Sequence, residues 1–105
     1  MKVKLQGEDD LVGYVSIKKF ANRADCFKYK LTYREVMASQ NSDVTVRSGF
    51  IQAESEQDAV RQVTTIVRQR VQGYDDTGSV AYANWCNTFG NALAIQFPIL
   101  ESVGV

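Results

Sequence analysis

The chain has 105 residues, of which 45% are hydrophobic and 23% charged; this is the composition of a globular domain and excludes an intrinsically disordered one. Formal net charge is zero, but it is segregated: residues 1–70 hold all 12 Lys and Arg against 9 acids, and residues 71–105 hold three acids and no base. A neutral chain divided in this way can still present one basic face.

Lys2 to Gln6 alternates Lys with Val3 and Leu5, which predicts a short first strand, and Gly7 to Asp10 reads as a turn. Leu11 to Lys18 alternates again, with Val15 and Ile17 on one side and Tyr14, Ser16 and Lys18 on the other. Ala21 to Asp25 is a polar connection of hairpin length. The stretch FKYKLTYR, Phe27 to Arg34, then alternates strictly. Phe27, Tyr29, Leu31 and Tyr33 share one face of a strand, and Lys28, Lys30, Thr32 and Arg34 share the other. Ala38 to Asp43 reads as a loop. Val44 to Ala53 is a fourth strand whose alternation breaks near Ser48-Gly49, where a bulge is expected. Parity places Thr45 and Arg47 on the cationic side.

Ser55 is a suitable N-cap with Asp58 three residues on, and Glu56 and Asp58 against Arg68 and Arg70 match the helix dipole. Ala59, Val60, Val63, Ile66, Val67 and Val71 form a broad apolar stripe, and Gly73 suits the left-handed position that ends a helix. Five β-branched apolar residues and two threonines are poor helix formers, so packing against a sheet must hold this helix. A second helix, capped by Thr77 or Ser79, is expected through Tyr82, Trp85, Cys86 and Phe89, with Gly90 closing it. Leu93 to Ile99 alternates, and Pro98 limits it to an edge strand or extended tail. The chain thus divides into a β-meander over 1–53, a helical part over 54–90 and a tail over 91–105. The fold class is α+β, an antiparallel meander with helices over one face. Its long strand edges are a hazard that a dimer, each chain laying helices over the other's sheet, would remove.

No apolar run is long enough to span a membrane, and MKVKLQGEDD lacks the apolar core of a signal peptide, which predicts a cytoplasmic chain. Cys26 and Cys86 form no metal-ligand spacing, and with no histidine they read as plain thiols. Without histidine no Ser or Cys nucleophile finds a base, and there is no Gly-rich phosphate loop. Asp76-Thr77-Gly78 matches the triplet of a dimeric aspartic protease, but it follows a helix where that chemistry needs a strand, so a capped turn accounts for it better. Neither an enzyme nor a metal or other cofactor is expected.

The candidate site is the wet face of the sheet: Ser16, Lys18, Lys28, Lys30, Thr32, Arg34, Thr45 and Arg47, with Tyr14 beside it for base contacts. Lys, Arg and Thr are common on any solvated antiparallel face. The central strand carries no acid before Glu35, which favours an anionic partner such as a phosphate backbone. A small inhibitor or adaptor that docks an acidic protein through this face is the alternative.

Two stretches carry a resemblance. GYVSIKKFANRADCFKYKLTYREV (Gly13 to Val36) and IQAESEQDAVRQVTTIVRQRVQG (Ile51 to Gly73), in this order of elements, resemble the coat proteins of single-stranded RNA bacteriophages. The resemblance implies a homodimeric capsid subunit that assembles into an icosahedral virion shell in the host cytoplasm. It also implies that the subunit binds single-stranded genomic RNA, including an operator hairpin whose binding represses translation. The family's RNA-contacting positions would fall on Ser16, Lys18, Lys30 and Thr32, within the set that alternation alone assigns to the wet face.

Overall fold

The computed structural model describes residues 1–7, 10–35, 43–73 and 79–96. Most of the 38–43 loop, the Asp76-Thr77-Gly78 triplet, Pro98 and the chain from 97 onward lie outside the described residues, as do positions 8 and 9 of the first turn.

The alternating stretches become β1 (Lys2–Gln6), β2 (Leu11–Lys19), β3 (Cys26–Glu35) and β4 (Val44–Gln52), one antiparallel sheet in the order β1-β2-β3-β4. Helices α1 (Glu56–Val71) and α2 (Val80–Gln96) follow. The α+β meander with C-terminal helices is therefore the observed architecture. Val3, Leu5, Val15, Ile17, Phe27, Tyr29 and Leu31 are all buried on one face of the sheet. The α1 stripe of Ala59, Val60, Val63 and Val67 packs on them together with Tyr82, Trp85, Phe89 and Leu93 of α2. The cover comes from the chain's own helices. Each fully buried large apolar side chain contributes roughly 1.5–3 kcal/mol, so this layer dominates the stability.

Ser55 holds an extended conformation (φ −151°, ψ 166°), and its hydroxyl accepts the Asp58 N–H at 3.1 Å, as an N-cap should. Asp58 reaches back to accept the Glu54 N–H at 3.4 Å, one residue earlier than in the usual reciprocal box. At the other end Gly73 takes φ +82°, the left-handed position expected of it. Ser79 caps α2: its hydroxyl accepts the Tyr82 N–H at 3.4 Å and its carbonyl accepts the Ala83 N–H at 3.0 Å.

Gly90 does not end α2. The helix continues to Gln96, so residues 91–96 are helical and not the extended tail their alternation suggests. Gly90 instead serves contact between the helices: a Cβ there would lie 2.9 Å from Val71 Cγ2 and 3.6 Å from Val67 Cγ1. Leu93, four residues after Phe89, is buried, and Ile95 projects to solvent. The period is helical, and the apparent alternation of Leu93 and Ile95 was coincidental.

The irregularity in β4 is also displaced. Leu31 pairs with Arg47 but Thr32 pairs with Thr45, which leaves Val46 as the extra residue of a bulge. Gly49 is regular and pairs with Tyr29, where a Cβ would meet the Tyr29 ring at 2.9 Å. Glycine at 49 is a packing requirement, not a break in the ladder.

Candidate nucleic-acid interface

Register fixes which side chains share the uncovered face. Ser16 faces Lys30, Lys18 faces Lys28, Tyr14 faces Thr32 and Val12 faces Arg34; Lys2 and Lys4 of β1 pair with Ser16 and Tyr14. Six cations, Lys2, Lys4, Lys18, Lys28, Lys30 and Arg34, therefore stand on one surface. Among the described strand residues on that surface there is no acid. Asp43, just before β4, approaches Lys2 at 3.6 Å.

At the centre, Ser16, Lys18, Lys28 and Lys30 line an open hollow of about 160 Å³. Lys18 and Lys28 are directly opposite one another, an arrangement that costs stability in a sheet. An anion seated between them would offset that repulsion and meet a hydroxyl donor on Ser16. Larger hollows exist, about 380 Å³ between the helices and about 430 Å³ beside Leu11, Tyr33 and Trp85, but each is lined by one charged residue. Of these three hollows among the described residues, the one on the sheet face gathers charges of one sign.

Of the residues expected at the site, Lys18, Lys28, Lys30 and Thr45 are exposed on the wet face, and Ser16 and Arg34 are half-buried there. Thr32 lies on this face but is only 7% exposed, which leaves its hydroxyl little access to a ligand. Arg47 is a correction. The bulge at Val46 shifts the phase of β4, so Arg47 shares the helix-covered face with Leu31, and its guanidinium lies 4.5 Å from the Tyr82 ring centroid. It belongs to the packing beneath α2 and not to the cationic face.

Tyr14 is corrected as well. It is 8% exposed, with the Lys2 ammonium 4.3 Å and the Arg34 guanidinium 5.5 Å from its ring centroid, so its π-face is already occupied by cations. The open aromatic surface lies at the other end of the face. Phe20, whose N–H bonds the Cys26 carbonyl at 2.9 Å, and Phe50, opposite Lys28, are 42% and 59% exposed. Their rings meet edge to face at 4.8 Å, and Lys28 Nζ is 5.9 Å from the Phe50 centroid. The register reveals these residues; the only sequence signal was an aromatic on the same parity as Lys18 or next to Ile51.

Neither cysteine is in a disulfide; Cys86 is buried in the core and Cys26 is half-buried. Among the described residues no group of three His, Cys, Asp or Glu side chains could hold a metal ion, and no described helix is long and apolar enough to cross a membrane. No protein-family model, curated protein or solved structure matches the chain.

Proposed function

We propose that the chain is an RNA-packaging coat subunit that holds single-stranded RNA on the uncovered face of its sheet. The observation that carries this reading is the Lys18–Lys28 and Ser16–Lys30 quartet around one hollow, with no carboxylate among the described strand residues of that face. Like charges placed face to face are retained at a cost, and a polyanion is the ligand that repays three of them at once.

In this proposal two chains pair through β4, a sheet edge of nine residues with Val44 exposed, in a two-fold arrangement with the helices of each chain lying over the joint. Pairing would set two basic faces side by side. Dimers then build a closed shell around the RNA, and binding of one hairpin would repress translation.

The test combines electron microscopy of the purified protein with filter binding of disassembled protein to single-stranded RNA over a range of salt. Shells, dimers on disassembly and an affinity that falls steeply with salt are expected. Lys30→Ala should weaken binding and reduce the log–log salt slope by about 0.7, the loss of one phosphate contact on a single strand. A well-folded monomer that forms no particles and ignores RNA would overturn the proposal. If it bound acidic proteins instead, the adaptor reading would take its place.

A further inference from the structure

We infer that Phe20 and Phe50 form a stacking platform for an unpaired nucleobase whose neighbouring phosphates sit over Lys18, Lys28 and Lys30. This rests on the RNA-binding reading and names what the face recognises beyond charge. Single exposed apolar side chains are ordinary on protein surfaces. These two are different because they pair with each other and adjoin the cationic hollow. Phe20 follows β2 two residues after Lys18 and sets its ring against that of Phe50, which stands opposite Lys28 in the register. The ammonium of Lys28 lies within 5.9 Å of the Phe50 ring centre, so a bound group meets cation and ring together.

A nucleotide of a single strand has the matching chemistry: an anion at the phosphate and a flat π-surface at the base. A duplex does not, because its bases are stacked on one another and its outer surface offers phosphate and sugar. Ring stacking tolerates every base, since each has a π-face, so the platform would select unpaired over paired RNA and not one sequence over another. Tyr14, the aromatic on the other side of the hollow, cannot serve because Lys2 and Arg34 cover it.

The experiment measures binding of the disassembled protein to a short oligouridine strand, to the same strand with abasic sites, and to a blunt RNA duplex, each over a range of salt. Wild-type protein should bind the base-bearing strand about 5- to 150-fold more tightly than the abasic strand, the range expected for stacking one base. The Phe20→Ala/Phe50→Ala double variant should lose that preference while keeping the wild-type salt slope, and Phe20→Tyr/Phe50→Tyr should keep it. Equal wild-type affinity for base-bearing and abasic strands would overturn the inference. So would a folded double alanine variant that still prefers bases, or a wild-type preference for the duplex. If the double alanine variant fails to fold, the wild-type comparison decides alone. Failure of the underlying reading looks different: wild-type protein then binds none of the three, and Lys30→Ala changes nothing.

Discussion

The Trp85 indole N–H donates to the Thr32 backbone carbonyl at 2.8 Å, joining positions 53 residues apart in the chain. The bond is buried and ties α2 to the central strand, directly behind the residues that form the candidate site. Trp85 also packs on Phe89, ring centres 5.2 Å apart. Trp85→Phe keeps an aromatic ring but removes the donor, and should cost about 1–3 kcal/mol in chemical denaturation. An unchanged midpoint would mean that the bond contributes nothing to holding the two layers together.

Gly13 faces the same ring from the sheet. A Cβ at position 13 would lie 2.9 Å from three atoms of Phe89, which is itself 2% exposed and has nowhere to retreat. Gly13→Ala should therefore destabilise by about 1–3 kcal/mol, although alanine is ordinarily the better residue for an ordered backbone. Thermal unfolding measures it; a stabilised variant would show that α2 can lift off β2 without loss.

Asp58 gives the chain an acid-sensitive element. Its carboxylate is hydrogen-bonded by the Arg61 guanidinium, and with lesser help from Gln62 and the Glu54 N–H this holds its pKa below the ordinary 3.8, against the opposing effect of burial. A carboxylate depressed in the folded state stabilises that state above its unfolded pKa, and the contribution is lost as pH falls through the folded value. Wild-type stability should thus drop as pH is taken from about 5 to below 3.8, and Asp58→Asn should flatten part of that drop. Identical pH profiles for the two proteins would show that the start of α1 does not titrate with folding.

Arg47 separates charge from face. Because it lies against Tyr82 beneath α2, Arg47→Ala should lower stability by about 0.5–2 kcal/mol and leave the salt dependence of the proposed RNA binding as in wild type. Lys30→Ala should do the reverse. A reduced salt slope for Arg47→Ala would put that side chain back on the binding face.

These contrasts show what the amino-acid sequence could and could not disclose. β3 was legible because its period-two alternation is unbroken, and register with β2 follows once both strands carry one apolar parity. α1 was legible because Ser55, its acidic first turn, its basic last turn and Gly73 all agree. Arg47 was not, since a bulge reverses parity without any residue type that marks it; Gly49, which looked like the break, is there to admit the Tyr29 ring. Gly90 misled for a related reason: a glycine that lets two helices approach is spelled the same as one that ends a helix. The aromatic part of the candidate site was hidden most deeply, because residue type does not tell Tyr14, on an inner strand between Lys2 and Arg34, from Phe50, exposed on the edge strand.

The bulge at Val46 also governs how β4 tolerates change in length. Removing Val46 would leave Thr45 and Arg47 as neighbours on opposite faces, which is where each already points, so the strand would become regular with every other side chain in place. Removing Arg47 would let Val46 take its place opposite Leu31, at the loss of the contact with Tyr82, whereas removing a residue from Ser48 to Ile51 would turn every residue between the bulge and the cut to the opposite face or restore the mismatch elsewhere. Within this strand the loss of one residue is therefore mildest at the bulge, where it forfeits only the packing and extra twist of Val46, and more disruptive the further it falls from it.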